Sequence, residues 1–258
     1  MIRFTIVTIT YNAAQVLQPT LDSVLAQTYP NVEHWIIDGK SADDTVAMAE
    51  DYRRQTEQQR SCHVVCIQSE PDRGLYDAMN KGLALATGDY IVFLNAGDAF
   101  PSADTLQHVA DCVKPGEPLP GVLYGFTDIV DSQRRFLCHR RLQPPAHLSW
   151  RSFCRGMLVC HQAFYARADL AKNNPYDLRY RFSADVDWCI RVMRESERMG
   201  LPLSNIGIVV ANYTEEGATT KNHKASLKER FDVMSRHYGL LTTMAMHAWF
   251  VVRGVIKK

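Results

Sequence analysis

The side chains most clearly placed to do chemistry are Asn95 and Asp98, in Phe93-Leu-Asn-Ala-Gly-Asp98. Just before them, Thr87-Gly-Asp-Tyr-Ile-Val-Phe-Leu94 reads as a turn at Gly88 and then a buried strand, Tyr90 to Leu94. A carboxylate and an amide just past the carboxyl end of an apolar strand lie where open α/β sheets bind ligands. Oxygen donors at that place suit a hard divalent cation, Mg2+ or Mn2+, carrying a phosphate. The stretch Glu70-Pro-Asp-Arg-Gly-Leu-Tyr-Asp-Ala-Met-Asn-Lys-Gly82 reads as a polar loop and a short helix leading into the same strand.

These residues need a scaffold, and the hydrophobic pattern describes one. Phe4 to Ile9 is a β-branched run with the character of a buried parallel strand, and Thr10-Tyr-Asn12 opens a loop before an amphipathic helix over Gln15 to Gln27. Val32-Glu-His-Trp-Ile-Ile-Asp38 is a second strand that ends in an aspartate, followed by a helix capped near Ser41 or Asp43. A third strand covers His63 to Gln68, and Tyr90 to Leu94 is the fourth. The alternation β-α-β-α-β-α-β with short loops predicts a doubly wound, mostly parallel central sheet flanked by helices.

Past Pro101 the pattern becomes mixed. A helix over Ala103 to Cys112 leads through Pro115-Gly-Glu-Pro-Leu-Pro-Gly121 to strands at Val122 to Gly125 and Gln133 to His139, with a turn at Asp131-Ser132. Asp185 to Met199 has helical period, Ile206 to Tyr213 reads as a strand, and Lys224 to Tyr238 as a charged amphipathic helix. The run Leu240 to Val252 is apolar but shorter than the roughly 20 residues a bilayer span needs. It fits both an interfacial helix carrying Trp249, Phe250 and the terminal cations, and a helix docked on its own domain or a second subunit.

With 258 residues, 46% of them hydrophobic, the chain is ordinary globular protein rather than disordered. A formal net charge of +1 argues against nucleic acid as a partner, which usually selects a basic balance. Seven scattered cysteines without a C-x-x-C pair read as reduced thiols, with Cys62 and Cys66 on one face of the third strand as packing residues. The start of the chain shows no secretory signal pattern, so a cytoplasmic location is expected.

Taken together, Thr10-Tyr-Asn12, Ile37-Asp-Gly-Lys-Ser-Ala-Asp-Asp-Thr45, Glu70 to Gly82 with Gly88-Asp89, and Phe93 to Asp98 resemble bacterial family 2 glycosyltransferases, close to the exopolysaccharide and colanic acid subgroup. The likeness runs from Phe4 to about Thr220. It implies a GT-A fold and an inverting transfer of a hexose from a nucleotide diphosphate sugar to a saccharide acceptor, one tethered to a polyprenyl-type lipid. It also implies a division into a nucleotide-sugar half (residues 1–100), an acceptor half of the same domain (101–220) and a C-terminal helical extension (221–258), with the protein on the inner face of the cytoplasmic membrane.

By the same resemblance, Thr10, Tyr11 and Asn12 line the nucleobase, and Asp38 accepts a hydrogen bond from a base N–H, as uracil or thymine offers. Asp72 and Arg73 face ribose and phosphates, Asn80 braces their loop, and Met79 stands where many relatives have arginine. Asn95 and Asp98 meet the cation and diphosphate; Asn95 and Gly97 replace usual carboxylates, which leaves Asp98 the one charged metal ligand. Asp185 is the expected base, with Ala184 in place of a usual glutamate. His161 and Gln162 face the acceptor or donor sugar, and Glu216, Thr219, Thr220 and His223 belong to a loop over the donor.

Plainer readings stand beside these. Asp38, Asp98, Asp185 and Asp187 could each merely cap a helix or turn, Arg73 could be a solvated charge, and His161 a structural histidine. A non-catalytic subunit that binds nucleotide sugar or a partner enzyme is the rival function. A sugar-1-phosphate nucleotidyltransferase is disfavoured because no glycine-rich basic loop follows the first strand. A dinucleotide oxidoreductase is disfavoured for want of G-x-G-x-x-G.

Overall fold

The computed structural model describes residues 1–59, 62–214 and 223–256, the last without the side chains of 223, 224 and 253–256. Its first half follows the expected alternation: β1 (Phe4–Thr10), α1 (Ala14–Leu25), β2 (Val32–Asp38), α2 (Thr45–Gln58), β3 (Val64–Ser69), α3 (Leu75–Leu85) and β4 (Tyr90–Phe93). All seven residues of β1 and all four of β4 are buried, as continuous apolar strands covered on both faces must be. The four strands run parallel in the order β3-β2-β1-β4. Their register sets Thr10 beside Asp38 and Asp38 beside Ser69, so three oxygen-bearing side chains line up at one end of the sheet.

The second half contains α4 (Thr105–Asp111), β5 (Val122–Val130), β6 (Phe136–His139), β7 (Phe164–Arg167), α5 (Ala168–Asn173), α6 (Ala184–Arg198), β8 (Leu203–Thr214), α7 (His223–Tyr238) and α8 (Leu240–Ile256). β7 lies antiparallel between β4 and β5, and β8 pairs parallel with β5, so one sheet runs through both halves. One hydrophobic cluster does the same, reaching from Phe4 on β1 to Val233 on α7. At its centre Tyr176 stacks on Trp188 at 4.9 Å and on Tyr76 at 5.5 Å, and Phe93 meets Trp188 edge-on at 5.8 Å. These rings tie α3 and α6 to the end of β4.

Several boundaries differ from the sequence reading. β3 begins at Val64, so Cys62 precedes the strand and does not share its face with Cys66. β5 runs on to Val130, and the hairpin turns at Asp131 to Arg134, which shortens the next strand to Phe136–His139. β7 has no signal in the sequence pattern. Four residues between a 3-10 turn and a helix carry no period, and tertiary pairing alone makes them a strand.

Candidate active site

The end of β2 holds a carboxylate that is fully furnished with donors. Asp38 accepts from Thr10 Oγ1 at 3.0 Å, Ser41 Oγ at 2.5 Å, the Ser41 N–H at 2.9 Å and Ser69 Oγ at 2.6 Å. Burial opposes its ionisation, but donation from Ser41, Ser69, the Ser41 backbone and Thr10 outweighs it and holds the carboxyl below its ordinary range. Over this cluster opens a cavity of about 600 Å³ lined by Thr10, Tyr11, Gly39, Lys40, Asp72 and Leu75, among others. Tyr11 is 68% exposed there, an aromatic face free to stack on a planar ring. Gly39 lets the loop approach: a Cβ at that position would stand 2.5 Å from the Asp72 carboxylate.

A second cluster gathers where β4 ends. The loop Asn95–Ala99 is clamped from α1, because Thr20 Oγ1 accepts the Gly97 N–H and donates to the Asp98 carbonyl. From β8, Asn212 exchanges two backbone hydrogen bonds with Ala99. Gly97 has φ +96°, a left-handed conformation that explains why a carboxylate-bearing residue does not stand there. Within this loop Asp98 is buried, and Gln162 Nε2 donates to its Oδ2 at 3.0 Å. Burial dominates here: the Asp98 carboxyl is pushed up to about 6, despite Gln162 and the nearby charges of His161 and Arg134.

His161 joins this loop to α6. Asn95 Nδ2 lies 3.0 Å from its Nε2, and its Nδ1 faces Asp185 Oδ2 at 3.5 Å. Asp185 also receives Tyr76 OH at 3.2 Å. Burial raises its carboxyl, but the His161 hydrogen bond and charge, the Arg230 charge and the Val186 N–H together bring it below the ordinary value. The Asp185 side chain keeps 18% of its exposure, enough for a substrate hydroxyl to reach it. A second cavity of about 610 Å³, lined by Tyr76, Leu178, Tyr180 and Phe182, shares Gly74 and Leu75 with the first.

The structure therefore brings Thr10, Tyr11 and Asp72 to one cavity, with Asp38 buried behind Thr10, and Asn95, Asp98, His161, Gln162 and Asp185 into one hydrogen-bonded network. Two expected residues stand elsewhere. The Asn12 side chain accepts the Ala42 N–H and braces the loop after β2 instead of lining the cavity. Arg73 pairs with Asp77 at 2.9 Å, is otherwise exposed, and borders the second cavity. Asn80 holds the Tyr176 backbone, while Lys81 braces the Glu70–Pro71 loop, so the bracing role falls one residue later than expected. Met79 is fully buried.

Ser183 stands at the N-cap of α6 without a side-chain cap, and Asp185 Oδ1 accepts the first-turn Val186 N–H at 2.9 Å. The N–H groups of Arg181, Phe182 and Ser183 are taken by Glu229 of α7, and Asp187 pairs with Arg191 and His237. Glu216, Thr219 and Thr220, and the side chain of His223, lie outside the described residues. Tyr76, Ser41, Ser69 and Arg134 enter the site unannounced. The last donates to the Gly97 carbonyl at 2.6 Å.

Hard oxygen donors fit a divalent cation here. Asn95 Oδ1 is buried with no hydrogen-bond partner among the described residues, next to the reluctant carboxylate of Asp98. No group of three acidic, histidine or cysteine side chains suited to a metal occurs among the described residues, so the two protein oxygens would need ligands from a bound phosphate.

A mostly parallel sheet with a carboxylate-lined cleft at its strand ends is the architecture of GT-A glycosyltransferases, and solved structures of that type superpose on it. TarS residues 1–349 from S. aureus, solved with UDP-GlcNAc, matches 90% of this chain with a TM-score of 0.69 at 17% identity, and this chain spans 64% of that one. Glucosyl-3-phosphoglycerate synthase from Mycobacterium tuberculosis, solved with Mn2+, UDP and glucosyl-3-phosphoglycerate, matches 91% of the chain and 80% of its own at a TM-score of 0.60 and 16% identity.

At the sequence level, residues 5–166 match the family model for glycosyl transferase family 2, and the chain belongs to that family. It is 36% identical over 215 residues to a PGL/p-HBAD biosynthesis glycosyltransferase of Mycobacterium bovis, across 83% of this chain and 77% of the relative. To the amylovoran biosynthesis glycosyltransferase AmsB of Erwinia amylovora it is 31% identical over 222 residues, across 82% and 69%. The protein is a glycosyltransferase.

Proposed function

We propose that the enzyme moves a hexose, with inversion, from a nucleotide diphosphate sugar, UDP-sugar by preference, to a hydroxyl of a lipid-borne saccharide in cell-surface polysaccharide assembly. The observation that carries this is the pair of contacts Asp98–Gln162 and Asn95–His161–Asp185, which sets the loop after β4 beside the part-exposed Asp185 carboxylate. In this reading Tyr11 stacks on the base, Asp38 with its neighbours shapes the base slot, and Asp72 meets the ribose. Asn95 Oδ1 and Asp98 would hold Mn2+ or Mg2+, which when bound supplies positive charge for the departing diphosphate.

Asp185 Oδ2 takes the proton of the acceptor hydroxyl as its oxygen bonds to the anomeric carbon and the nucleoside diphosphate departs with the opposite C–O electron pair. His161 Nδ1 and Tyr76 OH orient that carboxylate. The chain's AmsB-like and PGL/p-HBAD-like sequence supports a saccharide-building role. A location in the cytoplasm or on its membrane's inner face fits the supply of sugar nucleotides. Among the described residues no helix is long and apolar enough to cross a membrane.

A panel of nucleotide sugars screened for thermal stabilisation with and without Mn2+ names the donor, because a ligand specific to the native state raises the melting temperature. With that donor, Asp185→Asn is expected to keep binding and lose turnover by roughly 100- to 10,000-fold. Undiminished turnover in that variant would return the site to a binding role.

A further inference from the structure

We infer that the outer face of α8 seats on the surface of an anionic bilayer and so presents the Asp185 cleft to an acceptor carried in that bilayer. One face of α8 packs inward: Thr243 is buried, and His247 meets the Phe231 ring of α7 at 5.0 Å. The other face, about half the circumference at 3.6 residues per turn, is exposed and apolar. It carries Leu240, Leu241, Met244, Trp249, Val251 and Val252, with Leu241 at 84% and Val251 at 68% exposure. A contiguous apolar patch on a helix of this length marks an interaction surface.

Charge selects the occupant. From Leu240 to the last residue given, Lys258, the sequence has no Asp or Glu, while Arg253, Lys257 and Lys258 are cationic. An apolar helical face with a tryptophan and a cationic end is the pattern that lies in a lipid interface and is drawn to negative headgroups. The inner face explains the benefit. Arg230 of α7 lies close enough to act electrostatically on His247 of α8 and on Asp185, so the docking helix and the catalytic carboxylate share one neighbourhood. The lipid-borne acceptor rests on the proposed reaction; docking itself does not.

The test is flotation of the full chain with phosphatidylcholine vesicles, with and without phosphatidylglycerol. Wild type is expected to float with the mixed vesicles and to be released by salt, and Leu241→Glu with Val251→Glu to weaken binding roughly tenfold or more. A blue shift of tryptophan fluorescence on vesicle addition should vanish in Trp249→Phe. Both exposed-face variants should keep the wild-type melting temperature and its shift with donor, which shows that they are folded. Wild type that does not float, or a double variant that floats equally well, overturns the docking. So does a concentration-dependent dimer that the double variant abolishes without any vesicle binding. Flotation without transfer would count against the reaction and leave the docking standing.

Discussion

Asp38 ends β2 and Asp98 lies in the loop after β4; both are buried, yet their carboxyls are displaced in opposite directions. Around Asp38, burial is outweighed by three hydroxyls and an N–H, and the anion is stable within the protein itself. Around Asp98, burial wins over Gln162, and the neighbouring Asn95 Oδ1 has no donor among the described residues. The first is a finished structural anion that fixes the shape of a slot. The second is an anion whose surroundings favour a positive partner. Parallel register explains the difference: Thr10, Asp38 and Ser69 are in-register neighbours, whereas Asp98 sits on a loop that leaves the sheet after Phe93.

The sharpest way to break this contrast is Asp98→Asn. Turnover is expected to fall roughly 100-fold or more, and stabilisation by Mn2+ with donor to disappear. Without ligand, the variant should be more stable than wild type at neutral pH. Asp98 has a raised folded pKa, so the native state binds a proton more readily than the unfolded chain, and stability is lost as pH rises from about 3.8 to about 6. The gain on removing that anion is about 3 kcal/mol at pH 7 and should vanish below about pH 3.8. A variant less stable than wild type at pH 7, followed by urea unfolding, would show that Asp98 is structural after all.

Asp38→Asn should do the reverse. With the amide oxygen kept on the Ser41 N–H, the new NH2 faces the Thr10 and Ser41 hydroxyls that donate to the carboxylate, so stability falls by about 2 kcal/mol, and KM for the donor rises about tenfold while kcat stays within a few-fold. A loss confined to kcat would place Asp38 in the chemistry and end its reading as part of the base slot.

Much of this was legible beforehand, for physical reasons. Phe4 to Ile9 and Tyr90 to Leu94 are apolar enough to admit only buried strands, and the turn chemistry between them allowed only short crossovers. That placed Asp38, Asn95 and Asp98 at one sheet end. Roles decided across the chain were not legible. Asn12 has the right chemistry for a ligand but its side-chain oxygen is taken by the Ala42 N–H, and Arg73 is turned toward Asp77. Tyr76 is one tyrosine among several until the stack with Tyr176 and Trp188 aims its hydroxyl at Asp185. Glu229, 46 to 48 residues away by sequence, takes the N–H groups of Arg181, Phe182 and Ser183 just before α6, a long-range pairing that no local pattern signals. Ser69 is the exception, since aligning the ends of β2 and β3 would have set it beside Asp38.

Ser69→Ala gives the smallest effect and the finest discrimination. Ser69 donates to Asp38 Oδ2 at 2.6 Å, so its loss should move the Asp38 carboxyl back toward its ordinary value and lower stability by about 1 kcal/mol at pH 7. Asp38 has a lowered folded pKa, so the stability it contributes is present above its unfolded value and is lost as pH falls through the folded one. Wild type and variant should therefore converge in acid, where neither holds the anion. Ala at this position also leaves the slot lining of Tyr11 and Asp72 intact, so donor KM should change by less than about threefold. A difference that persists undiminished at low pH would mean that Ser69 acts by packing, and the description of Asp38 as an internally satisfied anion would lose one of its four supports.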